Sequence, residues 1–237
     1  MIASPIIIEL LAQAGFEAVV LDMEHGPLSF DNLNTLIPAA RASGIYPIVR
    51  VKTQDSALVS SALDVGAAGV LVPQIDSGAA AASVVRAARF APLGRRGVNP
   101  YTRAAGYNAR PEWYARANSE VAVLVMVEGS AGIAALPEIV ATPGLDGVFI
   151  GPFDLSQALG VPGKVDHPAV LAGVESIVAA TAKQNLATAV FAPTAILARR
   201  WLDRGVRMVA LGYDTAMVLE AFRATRDSAT LTRADED

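Results

Sequence analysis

Five side chains in this sequence carry chemistry that an apolar core would not choose, and each follows a short apolar run. Val19-Val20-Leu21 leads into Asp22-Met23-Glu24-His25-Gly26-Pro27, and Pro47-Ile48-Val49 leads into Arg50. Val123-Leu124-Val125-Met126-Val127 leads into Glu128, and Val148-Phe149-Ile150-Gly151-Pro152-Phe153 into Asp154. Taken singly, each acid reads as a helix N-cap or a surface ion pair, and Asp31 and Asp214 are read that way. Capping alone does not bring carboxylates, a guanidinium and an imidazole to the ends of successive strands, so Asp22, His25, Arg50, Glu128 and Asp154 are read together as a site.

Glu128 and Asp154 close adjacent apolar runs, so their oxygens can reach one ion. Oxygen ligands in a chain without cysteine point to a hard divalent cation, Mg²⁺ or Mn²⁺, with water and substrate completing its shell. The alternative is general acid/base work by the two carboxylates without a metal. A Schiff base would need a lysine at a strand end. The lysines are Lys52, Lys164 and Lys183, of which Lys52 lies in the loop beyond Arg50 and is a weak candidate. Arg50 has the planar fork that suits a carboxylate or an enolate oxygen, or a buried ion pair with a neighbouring acid. His25, with Asp22 as the partner that fixes its tautomer, suits a general base. His167 precedes Pro168 at a helix start and is read as a cap. Gly151 to Ser156 joins strand to helix, where backbone N–H groups can face an anion.

Such a rim needs a scaffold that brings strand ends together. Apolar runs alternate with helical patterns along the chain, the signature of repeated βα units. The patterns predict strands near Ala18–Asp22, Pro47–Val51, Gly69–Pro73, Ala122–Val127, Gly147–Gly151, Ala187–Phe191 and Met208–Leu211. They predict helices at Pro5–Ala14, with Ser4 as N-cap, and at Phe30–Ser43, Ser56–Val65, Ser77–Phe90, His167–Lys183, Thr194–Arg204 and Thr215–Thr225. This is a (β/α)₈ barrel, a fold whose active sites lie at the C-terminal ends of the strands. Seven strands are visible where a closed barrel has eight, so the first is expected to be missing or truncated at the N-terminus. A single domain over residues 1–237 matches the roughly 200–250 residues such barrels take. The stretch Pro92–Trp113 is the one long irregular connection, expected to be a lid or an interface segment that helps to contact the substrate.

Hydrophobic residues make up 53% of the chain and charged residues 18%, as expected for a parallel sheet covered on both faces and for buried subunit contacts. The net charge of −4 gives no basic footprint for nucleic acid, and no apolar run is long enough to span a bilayer. The absence of cysteine excludes disulfides and thiolate chemistry and fits a reducing cytoplasm.

Read in order, Asp22 to Pro27, Pro47 to Val51, Gly66 to Pro73, Pro92 to Val98, Met126 to Glu128 and Phe149 to Ser156 resemble the HpcH/HpaI aldolases, class II pyruvate aldolases. The resemblance runs from Ser4 to about Thr225. It implies divalent-metal-dependent, reversible aldol cleavage of 4-hydroxy-2-oxo acids to an aldehyde and pyruvate, or an analogue such as hydroxypyruvate. It implies Glu128 and Asp154 as ligands of Mg²⁺, Mn²⁺ or Co²⁺, and Arg50 on the substrate carboxylate or oxo group. It implies His25, supported by Asp22, on the hydroxyl proton, and the amides of Phe153 and Asp154, beside Gly151, on the carboxylate. The partners implied are a small 2-oxo acid, an aldehyde and further copies of the chain, as a hexamer built from three dimers that exchange their last helix. Gly129 stands where the family usually has Thr or Ser, and Gln74 where it often has Met. The rivals are an acyl-CoA lyase of the citramalyl- or malyl-CoA type on the same barrel, and a barrel without catalysis.

Overall fold

The computed structural model describes residues 2–234. Helix α1 (Pro5–Gln13) comes first, followed by β1 (Ala18–Asp22), α2 (Phe30–Ala42), β2 (Tyr46–Arg50), α3 (Ser56–Asp64), β3 (Gly69–Val72) and α4 (Gly78–Ala88). Helix α5 (Pro111–Glu120), β4 (Ala122–Val127), α6 (Ser130–Ala134), α7 (Leu136–Val140), β5 (Gly147–Ile150), α8 (Pro152–Ala158) and α9 (Pro168–Lys183) come next. The chain continues through β6 (Ala187–Ala192), α10 (Ala195–Leu202), β7 (Met208–Leu211) and α11 (Asp214–Ala234). All seven strands lie in one parallel sheet in chain order, with Asp22 beside Arg50 at the paired ends of β1 and β2.

The two-residue period of the strands separates two apolar layers. Ile48, Leu71, Leu124, Met126, Phe149 and Ala189 pack together inside the barrel. Val49, Val70, Val123, Val125, Val148 and Val190 point outward into the helix layer, whose largest fully buried side chain is Trp201. Both faces of every central strand are therefore covered, which explains the continuous rather than alternating apolar runs.

Side-chain caps open several helices, among them the predicted one at His167. The Ser29–Asn32 capping box opens α2, Asp55 accepts from the amide of Ala57 at α3, and His167 Nδ1 accepts from the amide of Ala169 at α9. Ser4 stands at the N-cap of α1 with Pro5 behind it, but its hydroxyl makes no capping bond.

The sheet has seven strands, with β1 and β7 at its edges. A cavity of about 180 Å³ lies between them, lined by residues that include Val20, Ile48, Phe191 and Met208. Ile2 also lines this cavity, and its amide donates to Asp214 Oδ2 (2.6 Å).

Two expectations need correction. The segment after α4 is not wholly irregular, since Pro111–Glu120 is helical. Nor does it reach the C-terminal rim of its own barrel. It connects a helix back to a strand, so it runs along the N-terminal end. There Arg89 donates to the carbonyls of Val121 and Gly144, which precede β4 and β5, and the amide of Ala104 donates to the carbonyl of Asp64. The last helix also continues past Thr225 to Ala234. Among the described residues no helix is long and apolar enough to cross a membrane.

Candidate active site

Asp22, Arg50 and Glu128 continue the parity of residues that fill the barrel interior: Ala18 and Val20 on β1, Ile48 on β2, Leu124 and Met126 on β4. One more step of two residues carries each of these rows from the apolar interior to the rim. Glu24 keeps the same parity beyond Asp22 and joins the site, although the sequence reading assigned it no role.

Arg50 is the hub. Its Nε donates to Asp22 Oδ1 (2.8 Å) and its Nη2 to Asp22 Oδ2 (2.6 Å), a two-point grip that fixes the guanidinium plane. Nη1 lies 3.0 Å from Glu24 Oε2, and the arginine side chain is only 11% exposed. Burial opposes the charge on Asp22, but the bonds from Arg50, aided by the amides of Glu24 and His25, hold its carboxyl below the usual carboxylate range. The same acids hold the Arg50 guanidinium above its ordinary value against the opposing effect of burial.

His25 is 63% exposed, and its Nε2 lies 3.9 Å from Glu24 Oε2. The imidazole therefore faces Glu24. Asp22 reaches His25 only through the backbone, where Oδ1 accepts from the His25 amide (3.3 Å). The expected Asp22–imidazole partnership is absent, because Arg50 already occupies both carboxylate oxygens.

Glu128 is buried at the end of β4. Burial raises its carboxyl to about 7 against the hydrogen bond from Gln74, and the charges of Asp154 and Glu24 push in the same direction as burial. The Gln74 amide reaches Glu128 Oε1 (2.8 Å) because Gln74 adopts a left-handed conformation (φ 59°). The Gln74 side chain extends to Glu24 Oε1 (3.4 Å), joining the two acids through one residue. Burial also raises Glu24, despite the nearby positive charge of Arg50.

Gly151 follows β5 at the N-cap of α8, and a Cβ there would stand 2.7 Å from Glu128 Oε2. Asp154 is exposed in the first turn of α8, with no hydrogen bond or ion pair among the described residues. The amides of Phe153 and Asp154 belong to that turn, where no intrahelical acceptor exists. Phe191 stands 6.0 Å from Phe153 and 5.0 Å from Tyr213, forming an aromatic side to the mouth.

The rim thus gathers Asp22, Glu24, Glu128 and Asp154 around one guanidinium and one imidazole. Among the described residues no cluster of three or more ligating side chains occurs. A carboxylate pair such as Glu128 and Asp154 nevertheless fits a hard cation that retains several waters. The raised Glu128 beside a partnerless Asp154 is a charge pattern that a cation would relieve. The cavity between β1 and β7 borders Asp22 and Arg50 but not Glu128 or Asp154, so it lies behind this mouth rather than in it.

Comparison with known proteins finds relatives over nearly the whole chain. The profile of HpcH/HpaI aldolase/citrate lyase proteins matches residues 1–221. A hydroxypyruvate/pyruvate aldolase of Pseudomonas aeruginosa is 39% identical over 94% of this chain and 83% of its own length. A 5-keto-4-deoxy-D-glucarate aldolase of Klebsiella pneumoniae is 36% identical over 96% of this chain and 89% of its own. Among solved structures, an HpcH/HpaI aldolase/citrate lyase family protein from Burkholderia cenocepacia superposes with a TM-score of 0.90. It is 35% identical, covering 98% of this chain and 91% of that one. The chain belongs to the HpcH/HpaI aldolase/citrate lyase family.

Proposed function

We propose that this protein is a class II aldolase, a carbon–carbon lyase that reversibly cleaves 4-hydroxy-2-oxo acids to an aldehyde and pyruvate, or an analogue such as hydroxypyruvate. The observation that carries this reading is the buried, raised Glu128 next to Asp154, facing an arginine held rigid by two acids. The names of the aldolase relatives support it. The acyl-CoA lyase alternative is not favoured, and His25, Arg50, Glu128 and Asp154, which a non-catalytic barrel would be free to lose, are all present.

Glu128 and Asp154 would hold a divalent cation, Mg²⁺, Mn²⁺ or Co²⁺. When bound there it supplies Lewis acidity at the 2-oxo oxygen. Arg50 places a fixed positive charge against the same end of the substrate, where the enolate charge develops as the bond breaks. A preorganised donor of this kind is worth roughly 3–4 kcal/mol in the transition state. Asp22 is a positioning residue that fixes the plane of the guanidinium. His25 takes the hydroxyl proton during cleavage and returns it during aldol addition, a contribution of about 10²–10⁴-fold. Its exposed ring faces the open mouth with Glu24 as the neighbouring carboxylate. The amides of Phe153 and Asp154 bind the substrate carboxylate, and Gly151 leaves the space beside Glu128 free.

A homo-oligomer, specifically a hexamer built from three dimers, belongs to the same reading and is supported by exposed apolar residues on α1, α10 and α11. So does a cytoplasmic location, since a chain without cysteine needs no oxidising compartment.

The test is pyruvate release from a panel of 4-hydroxy-2-oxo acids, coupled to lactate dehydrogenase, with EDTA and with added Mn²⁺. Pyruvate that appears with Mn²⁺ and stops with EDTA is expected. Pyruvate that persists in EDTA would remove the metal from the proposal, and none from any substrate would remove the aldolase.

A further inference from the structure

At the opposite end of the barrel, a second cavity of about 730 Å³ is lined by Tyr46 at the start of β2, Gly66 to Ala68 before β3 and Val121 before β4. Four arginines line it as well, Arg41, Arg96, Arg103 and Arg116. This is an unusual concentration for a chain whose net charge is −4.

Two of the four are neutralised by acids. Arg96 Nη2 lies 2.6 Å from Asp64 Oδ1, and Arg116 Nε lies 2.9 Å from Glu120 Oε1. The other two form no ion pair among the described residues. Arg41 spends its Nε on the Gly66 carbonyl (2.9 Å), and Arg103 lays its guanidinium near the Tyr107 ring (5.8 Å to the centroid). The lining therefore carries two positive charges beyond its ion pairs.

A second observation concerns hydrogen bonding. The Nε atoms of Arg96 and Arg103 are buried with no acceptor, and the Arg96 side chain is only 1% exposed. A buried guanidinium N–H without an acceptor is costly, and proteins ordinarily avoid it. A large cavity, two surplus charges and unmet donors on its walls together describe a place for an anion. Structural packing alone accounts for the Arg96–Asp64 pair but leaves Arg41 and Arg103 without an acid.

We propose that this cavity binds a small dianion, either a phosphate group or a dicarboxylate, gripped by Arg41 and Arg103 with Arg96 behind them. Guanidinium forks match both chemistries in two-point geometry. The site lies at the N-terminal ends of the strands, across the barrel from Arg50 and Glu128. It therefore does not hold any part of a substrate bound at the mouth, and it stands independently of the proposed aldol chemistry.

The test is titration calorimetry on the full chain with inorganic phosphate and, separately, succinate, at constant ionic strength set with chloride. Excess pyruvate is included to occupy the mouth. Saturable millimolar or tighter binding that survives pyruvate is expected, and Arg41→Gln and Arg103→Gln should each weaken it by about tenfold or more. Circular dichroism checks that each variant is folded, and Arg103→Lys, which keeps the charge, should recover part of the affinity. Binding of phosphate but not succinate assigns a phosphate-bearing ligand, and the reverse assigns a dicarboxylate. Absence of saturable binding of either overturns the site, as does equal binding by wild type and both glutamine variants. A changed oligomeric mass in Arg103→Gln with anion binding unaltered also overturns it and makes the cavity a subunit contact.

Discussion

Replacing Arg50 by Lys retains one positive charge but removes the fork that grips both oxygens of Asp22. The expected outcome is a loss of about 10²–10³ in kcat with divalent-metal affinity nearly unchanged, since Glu128 and Asp154 are untouched. Measuring Mn²⁺ binding and turnover on the same preparation separates the two effects. Equal losses in both would mean that Arg50 only supports the fold. Glu128 leads to a pH prediction. Its carboxyl is raised to about 7 from an ordinary 4.5, so between those values the folded, metal-free chain retains a proton that the unfolded chain has released. Stability from this group is therefore full below about 4.5 and is lost as pH rises through 7. In EDTA, wild type should lose Tm relative to Glu128→Gln across that window. A bound cation must displace the same proton, so apparent metal affinity should weaken about tenfold per pH unit below 7. A Tm difference that stays flat from pH 5 to 8 would contradict the buried-acid description of Glu128.

At the scale of elements, Gly151 shows how a backbone position serves the site. A methyl group there would press within 2.7 Å of Glu128 Oε2, so Gly151→Ala should displace the carboxylate. Metal affinity should fall by at least tenfold, with little change in Tm because the strand itself is unaltered. Unchanged Mn²⁺ affinity would show that Glu128 does not need that space. The sequence made the seven strands legible because each is a compact, mostly apolar run of four to six residues between helical patterns. It also placed Asp22, Arg50 and Glu128 at the ends of their runs. Helices α5 to α8 were harder to find because they are short and begin with or contain Pro and Gly rather than a long apolar stripe. Glu24 is hard to assign from sequence because it lies past the end of β1, where only continued parity marks it as inward-facing. The Asp22–His25 pairing expected from sequence does not form, because sequence proximity cannot show that Arg50, 28 residues away, takes both oxygens.

At the scale of the whole molecule, exposed apolar side chains recur on three helices. Ile6 and Leu10 on α1, Ile196 and Leu202 on α10, and Leu219 and Phe222 on α11 are all exposed, and Phe222 is 70% exposed. Leu219 and Phe222 lie three residues apart on one face of α11, and apolar side chains exposed together in this way suit an interaction face. Helix α11 has 21 residues, so its distal part can extend to a neighbouring copy. A stable contact of about 1,000 Å² or more needs several such anchors, and a charge at a buried aromatic anchor removes one of them while leaving an unpaired carboxylate in the interface. Phe222→Glu should therefore shift the light-scattering mass of the protein from a multiple of 24.6 kDa toward smaller species. The substitution lies on an exposed turn of α11, so the far-ultraviolet circular dichroism of the barrel should be retained. Wild type running as a single chain at micromolar concentration would refute the oligomer. An unchanged mass in the variant would place the contact elsewhere, on the α1 or α10 surface, where Leu10→Glu and Ile196→Glu make the same comparison.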